Sequence, residues 1–372
     1  MSPKLILGLA VLTLVATAAA VVAVMERPGH GAVRVGDQIA FPQLRDAPDT
    51  AARLVVESAS DGEVTIERDG ERWVAADRDG YPVATGPVRS LLVGLAQMRL
   101  IEAKTAVPER YPRLEVEDVG AEGARSRLVR VETADGEVLA ETLVGKQRDR
   151  LTGTEPAGTY IRRPDEARSW LASGGLDVET AVTGWLEPEI VDLAPDRIER
   201  VEIEPAGGDG YAIVRTGEQA DLTLAGLGED EALAEDANLS RVTGAFRNLE
   251  LEDVKPAGEV AWPDPVDRVR VTTSDGLEIG FRLARVGDEA WLEVVSVKAT
   301  PAAPAEPAAD EGAAEGTAEE AAADSEPAPD PEALAREIEA RTAGWGYRVT
   351  TSIYDRLSEP RETWLADDDG TS

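Results

Sequence analysis

The chain has 372 residues, with 72 acidic against 38 basic side chains, a formal net charge of -34, no cysteine and one histidine. That balance repels nucleic acid and anionic lipid headgroups, both of which are recognised through Lys and Arg. It also excludes disulfides, thiolate nucleophiles and cysteine-ligated zinc. Stability must come from core burial, and the chain is long enough for two core-forming units.

Residues Leu5 to Val24 carry no charge and no proline. About 20 apolar residues rising about 1.5 Å each match the roughly 30 Å hydrocarbon core of a bilayer. The expectation is an N-terminal transmembrane helix, with residues 1–25 forming a cytoplasmic tip and anchor. A cleaved signal peptide is the competing reading, supported by Lys4 and Ala18-Ala19-Ala20, but the apolar run continues past the alanines through Val24. Lipoprotein anchoring is excluded because there is no cysteine to acylate. Arg27, Arg34 and Arg45 after the run do not favour export of the C-terminal bulk of the chain. The four-residue tail with Lys4 has the form of a signal anchor, so that bulk is nevertheless expected on the periplasmic side of a bacterial inner membrane. Ala16/Ala20 and Ala19/Ala23 give small-xxx-small spacing, which an alanine-rich span shows by chance.

Residues 26–50 mix Gly, Pro and short apolar pieces and read as a tether. From residue 51 the pattern is β. Leu54-Val55-Val56 reads as a strand, Glu63 to Arg68 alternates at period two, Asp69-Gly70 signals a hairpin, and Trp73 to Ala75 returns. Pro87, Val88, Leu91, Leu92, Leu95 and Met98 have helical spacing. A second hairpin joins Arg127–Glu132 to Glu137–Val144 around Asp135-Gly136. Tyr160-Ile161 reads as a strand and Pro164 to Leu171 as a short helix.

The pattern then returns. VRVETADG at Val129 to Gly136 matches VRVTTSDG at Val269 to Gly276. Leu91, Leu95, Met98, Leu100, Glu102 and Lys104 correspond to Val242, Phe246, Leu249, Leu251, Asp253 and Lys255 at one offset. Leu54, Glu57, Ile66, Arg68 and Gly70 correspond to Val201, Glu204, Ile213, Arg215 and Gly217 at another. Ordered agreement of three blocks predicts an α+β chain of two tandem repeats of a ββ-β-α-ββ unit, with mostly antiparallel sheets, over residues 51–190 and 197–372. The second repeat carries an Ala/Pro/Glu/Asp/Gly segment, residues 299–330, expected as a disordered acidic insertion. Pro331 to Ala340 reads as a helix, Trp345 to Ile353 as a closing strand, and Tyr354 to Leu365 as a last helix.

No residue receives a catalytic, cofactor or metal role. His30 lies in the tether, without a scaffold to position it as a base. Asp77-Arg78-Asp79-Gly80 is the best calcium-like cluster but lacks the closing Glu of an EF-hand and reads as a solvated turn. Gly145-Lys146 is followed by Gln147 where a phosphate loop needs Ser or Thr. The glycine-rich Ala206 to Gly210 reads as a hairpin turn. Lys104 and Lys255 recur at matched positions, which fits a structural role. Trp73, Trp170, Trp291 and Trp364 are expected in cores rather than as ligand platforms.

Several short motifs together resemble a bacterial family known as domain of unknown function 4340. They are Glu26-Arg27-Pro28 after the anchor, Val64 to Val74, Asp79-Gly80-Tyr81-Pro82, Glu102 to Ala106, and Pro108-Glu109-Arg110-Tyr111. Gly158 to Arg162, Trp185-Leu186 and Gly344-Trp345-Gly346-Tyr347 complete them. The resemblance implies a membrane-anchored protein of unassigned activity, often encoded near gliding-type ABC transport components, and carries over no catalytic residue. The leading expectation is a non-enzymatic, single-pass accessory or scaffold subunit of an envelope transport complex, contacting the membrane through residues 5–24 and an ABC-type permease and ATPase. The alternatives are an ectodomain binding a small molecule or glycan in a groove between the repeats, and a carboxylate-based hydrolase.

Overall fold

Alternating strands begin earlier than the composition suggests. In the computed structural model, which describes residues 34–148, 158–217, 221–228, 231–300 and 330–366, strand β1 already spans Arg34–Ile39. The proposed anchor over residues 5–24 and nearly all of the acidic segment 299–330 lie outside the described residues. Among those residues no helix is long and apolar enough to cross a membrane.

The predicted tether is corrected by this start. After β1 come a short helix, α1 (Pro42–Asp46), and a 3₁₀ turn (Pro48–Thr50). Ala40, Phe41 and Leu44 are buried, and the Ala40 N–H donates to Met98 O at 2.9 Å. The apolar residues cluster around a Pro turn instead of alternating, so periodicity does not reveal them.

Strands β2 (Ala51–Ser58), β3 (Gly62–Asp69) and β4 (Arg72–Ala75) form the predicted meander. Gly70, φ +60°, opens the two-residue β3–β4 turn, where a side chain would be strained. After β5 (Tyr81–Pro82), helix α2 (Thr85–Gln97) buries Val88, Leu91 and Leu95, as their spacing predicts. Strand β6 (Arg99–Ala103) and a 3₁₀ helix (Pro108–Arg113) follow, then β7 (Arg127–Thr133), β8 (Val138–Arg148), β9 (Gly158–Arg162) and β10 (Ser169–Ser173). The helix expected over residues 164–171 is therefore a turn leading into a strand. β10 lies between β9 and β6, and its consecutive Leu171 and Ala172, which point to opposite faces, are both buried, so burial does not alternate at period two.

The second half opens with β11 (Glu189–Val191), β12 (Ile198–Glu204), β13 (Tyr211–Thr216) and β14 (Asp221–Leu224). A single helical turn, α3 (Ser240–Thr243), runs into a 3₁₀ turn (Gly244–Phe246), then β15 (Leu249–Glu250) and β16 (Asp253–Pro256). Strands β17 (Asp267–Thr273), β18 (Leu277–Val286) and β19 (Glu289–Ala299) form a meander. Helix α4 (Pro331–Thr342) begins where expected: Asp330 caps it by accepting the Glu332 N–H at 3.1 Å, and Pro331 occupies the first turn. Strand β20 (Trp345–Val349) stops sooner than predicted, because helix α5 (Thr351–Leu357) starts at Thr351. The predicted last helix is broken at Pro360, which lacks an N–H to continue it, and resumes as a 3₁₀ turn (Arg361–Trp364).

The fold is mixed α+β with antiparallel sheets. The first sheet runs β1-β6-β10-β9-β8-β7-β2-β3-β4-β5, and the large second sheet runs β14-β13-β12-β17-β18-β19-β20-β16. From β6 to β4, the first order matches the second read backwards. Register agrees as well. Leu54 stands opposite Ile66 and Val131, and Val201 stands opposite Ile213 and Val271. Each sheet continues beyond the expected ββ-β-α-ββ pattern, with two further strands after the second hairpin. Contacts divide the chain into two units. One runs through Asp77 and again from Pro82 to Trp185, and the other combines Arg78–Tyr81 with the chain from Leu186 onward.

Leu54 is fully buried between two apolar partners. Leu54→Ala is expected to lower the unfolding free energy of its unit by about 3 kcal/mol, and Val201→Ala that of the other by about half as much. Urea unfolding of each variant measures this, and a loss near zero at either position would contradict the packing.

Candidate functional site

Two of the short motifs meet in the first unit. The 3₁₀ helix carrying Tyr111 lies beside the end of β9, where Arg162 is only 4% exposed. A buried guanidinium is costly unless its N–H groups find acceptors. Here Nε donates to Val116 O at 2.8 Å, Nη1 to Pro164 O at 3.3 Å and Glu166 O at 3.4 Å, and Nη2 to the Asp118 carboxylate. The Tyr111 ring stacks under it with 4.6 Å from Cζ to the ring centroid, and the Tyr111 hydroxyl donates to Ala167 O at 2.6 Å. Arg162 thus ties three loop segments to one strand end.

A cleft of about 430 Å³ opens over this cluster, with Tyr111, Pro112, Glu117, Asp118, Arg162 and Pro164 among its lining residues. Glu117 is 7% exposed. Its Oε1 accepts the Arg125 N–H at 2.6 Å, but its Oε2 has no hydrogen-bond partner among the described residues. The Ser126 hydroxyl, one residue along from that donor, is likewise buried without one. Sequence reasoning missed Glu117, because its loop has no periodicity. Arg162 could have been noticed as a charged residue inside an apolar strand motif.

The residues singled out from sequence serve mainly as structural parts. His30 lies outside the described residues. Asp77 accepts the Thr65 N–H at 2.8 Å, and Asp79 sits in the left-handed region of a turn. Among the described residues no group of three His, Cys, Asp or Glu side chains is placed to hold a metal ion. Gly145-Lys146 is within β8, not in a loop before a helix. A Cβ on Gly145 would meet Leu114 O at 2.2 Å, so glycine is needed for that close approach. Ala206 to Gly210 joins β12 to β13. Lys104 lies 6.0 Å from the Tyr160 ring and bonds Glu102 at 2.7 Å, while Lys255 lies 4.1 Å from the Trp291 ring. Both matched lysines therefore sit over an aromatic ring of a neighbouring part of their own sheet. Trp291 and Trp364 are buried, Trp73 and Trp170 half-buried, and Trp170 lies in a strand rather than the predicted helix.

A second meeting of motifs belongs to the second unit. The Tyr81 ring is edge-on to Trp345 at 5.0 Å and to Tyr347 at 6.3 Å, and its hydroxyl donates to Glu187 O at 3.1 Å. Arg78 grips Asp253 through Nε at 2.7 Å and Nη2 at 3.2 Å. Burial pushes the Tyr81 hydroxyl up to about 12 and raises Tyr347 as well, so both stay protonated and act as packing groups.

The chain belongs to the family described as Domain of unknown function (DUF4340), which matches residues 73–267. That span contains Tyr111, Glu117 and Arg162 of the first cluster, and Arg78, Tyr81, Glu187 and Asp253 of the second, but not Trp345 or Tyr347. No curated protein and no solved structure matches the chain.

Arg162→Ala is expected to cost about 2–4 kcal/mol. The loss comes from the stranded carbonyls and the Tyr111 contact more than from Asp118, which is 77% exposed and remains solvated. Arg162→Lys keeps the charge but not the planar fork, and should recover less than half of that. Chemical denaturation of both variants decides, and full rescue by lysine would reduce the site to a simple ion pair.

At Asp253, burial raises the carboxyl, but the Arg78 and Val254 hydrogen bonds and the charges of Arg78 and Arg348 outweigh it, so its pKa lies below the ordinary 3.8. A carboxyl depressed in the folded state stabilises fully above its unfolded pKa, and this is lost as pH falls through the folded value. Stability should therefore drop below about pH 4 less steeply in Asp253→Asn than in the wild type. Equal slopes in a pH series of unfolding curves would refute the coupling.

Proposed function

We propose that this protein is a non-catalytic, single-pass accessory subunit of an envelope ABC-type transport complex, holding two related α+β modules on the periplasmic side of the inner membrane. The observation that carries the reading is the uncharged run Leu5 to Val24, followed by two units whose sheets share strand order and register. We read those sheets as a tandem duplication: Leu54 and Val201 take equivalent places, as do Lys104 and Lys255. Arg162 of one motif, and Arg78 beside another, are engaged in internal hydrogen bonds, which suits a scaffold. The chain has no Walker sequence, so a separate ATPase would supply the energy.

Affinity purification of the tagged full-length protein from membranes in mild detergent tests this, beside a form beginning at Gly29. Stoichiometric recovery of a permease and an ATPase with the full-length protein only is expected. Recovery of the protein alone, under conditions that keep other membrane complexes intact, would overturn it.

A further inference from the structure

We propose that Asn238 is an N-glycosylation site, its carboxamide nitrogen receiving an oligosaccharide from a lipid-pyrophosphate donor through an oligosaccharyltransferase of the same membrane. This rests on the periplasmic placement inferred above, since such an acceptor must reach the exported side of the membrane.

The consecutive residues Asp236-Ala237-Asn238-Leu239-Ser240 carry the motif. An acceptor needs Asn followed two residues on by Ser or Thr, with no proline between, and here the middle residue is Leu239. Asp236 adds a carboxylate two residues before the asparagine, which a basic side chain of a transferase can read. Asn248, the other asparagine of the chain, is followed by Leu249-Glu250 and lacks the hydroxyl. In the first half, the positions matched to Asn238 and Ser240 are Pro87 and Arg89, so the repeated sheet plan does not itself call for this pair.

The fold presents the motif to solvent. Asp236, Asn238 and Ser240 are exposed where the chain enters α3, while Leu239 is buried and anchors the turn. The Ser240 hydroxyl donates to Asn238 Oδ1 at 2.6 Å, so hydroxyl and carboxamide stand side by side. Asn238 Nδ2 makes no hydrogen bond among the described residues, so a glycan there breaks none. A cleft of about 350 Å³ beside Asn238, with Asp221, Leu222 and Leu233 also on its walls, leaves room for the first sugar. In the transfer, Nδ2 bonds to the anomeric carbon of that sugar. The bond from this carbon to the pyrophosphate oxygen breaks, the lipid pyrophosphate leaves with the electron pair, and one Nδ2 proton passes to a base of the transferase.

Glycopeptide mass spectrometry of the full-length protein, purified from the membranes of its own host, tests the site beside a topology readout. Because the chain has no cysteine, a single Glu199→Cys at an exposed position reports its side of the membrane through an impermeant maleimide added to spheroplasts. Labelling from the periplasmic face, with an oligosaccharide on Asn238 and none on Asn248, is expected. Asn238→Gln should remove the glycan. Ser240→Ala should lower occupancy about tenfold or more, and Ser240→Thr, which keeps the hydroxyl, should stay within about twofold of wild type. Both positions are exposed, so these variants should fold, and their urea midpoints check this. Labelled protein with Asn238 unmodified, or occupancy that Ser240→Ala leaves unchanged, would overturn the glycosylation alone. Protein that takes no label from the periplasmic face would overturn the placement, and the glycosylation with it.

Discussion

Each unit depends on one apolar seam. In the first, β2 lies between β3 and β7 and presents Leu54 to Ile66 and Val131. In the second, β12 lies between β13 and β17 and presents Val201 to Ile213 and Val271. All six side chains are buried. With no cysteine to cross-link the chain and a net charge of -34 pushing it apart, burial along these seams must offset both conformational entropy and self-repulsion. A one-residue slip in either register would turn the apolar set outward, so the seams also fix the alignment of every later strand.

The loops are held to these sheets by a few long-reaching polar side chains. Arg215 donates to Ile198 O at 3.0 Å and Pro195 O at 2.7 Å, and Arg68 donates to Asp49 O at 3.1 Å. Both tie a Pro-Asp 3₁₀ turn to the hairpin that follows it. Arg162 performs the same kind of task at the far side of its sheet, but from a buried position, where each unmade bond would cost far more. Arginine suits these places because its planar fork satisfies several acceptors at once without losing its charge. Glu117 is less completely held: it is buried, its Oε1 accepts the Arg125 N–H, and its Oε2 has no hydrogen-bond partner among the described residues.

Lys104 and Lys255, read from the sequence as structural, take similar places in their two sheets. Lys104 and Lys255 each lie over an aromatic ring, Tyr160 and Trp291, that a later strand of the same sheet supplies. A cation held over a ring face needs the ring in place, so each lysine depends on the strand that supplies its ring.

The local periodicities belonged to the sequence alone. Alternation over Glu63 to Arg68, helical spacing from Val88 to Met98, and the paired octapeptides at Val129 and Val269 each reflect a face buried against the core, and short-range physics sets that pattern. The same reasoning failed where burial was two-sided, as in β10, or where apolar residues gathered around a Pro turn, as at Phe41 to Leu44. It was silent on the candidate site. Arg162 reaches Val116 across 46 residues and Arg78 reaches Asp253 across 175. Whether Glu117 is satisfied depends on which backbone groups arrive beside it. Those partners are chosen by strand order and loop path, which come from how whole faces pack together. No window of sequence contains that information, so the tertiary structure alone decided that segment Arg78–Tyr81 belongs with the second unit and that Glu117 Oε2 has no hydrogen-bond partner among the described residues.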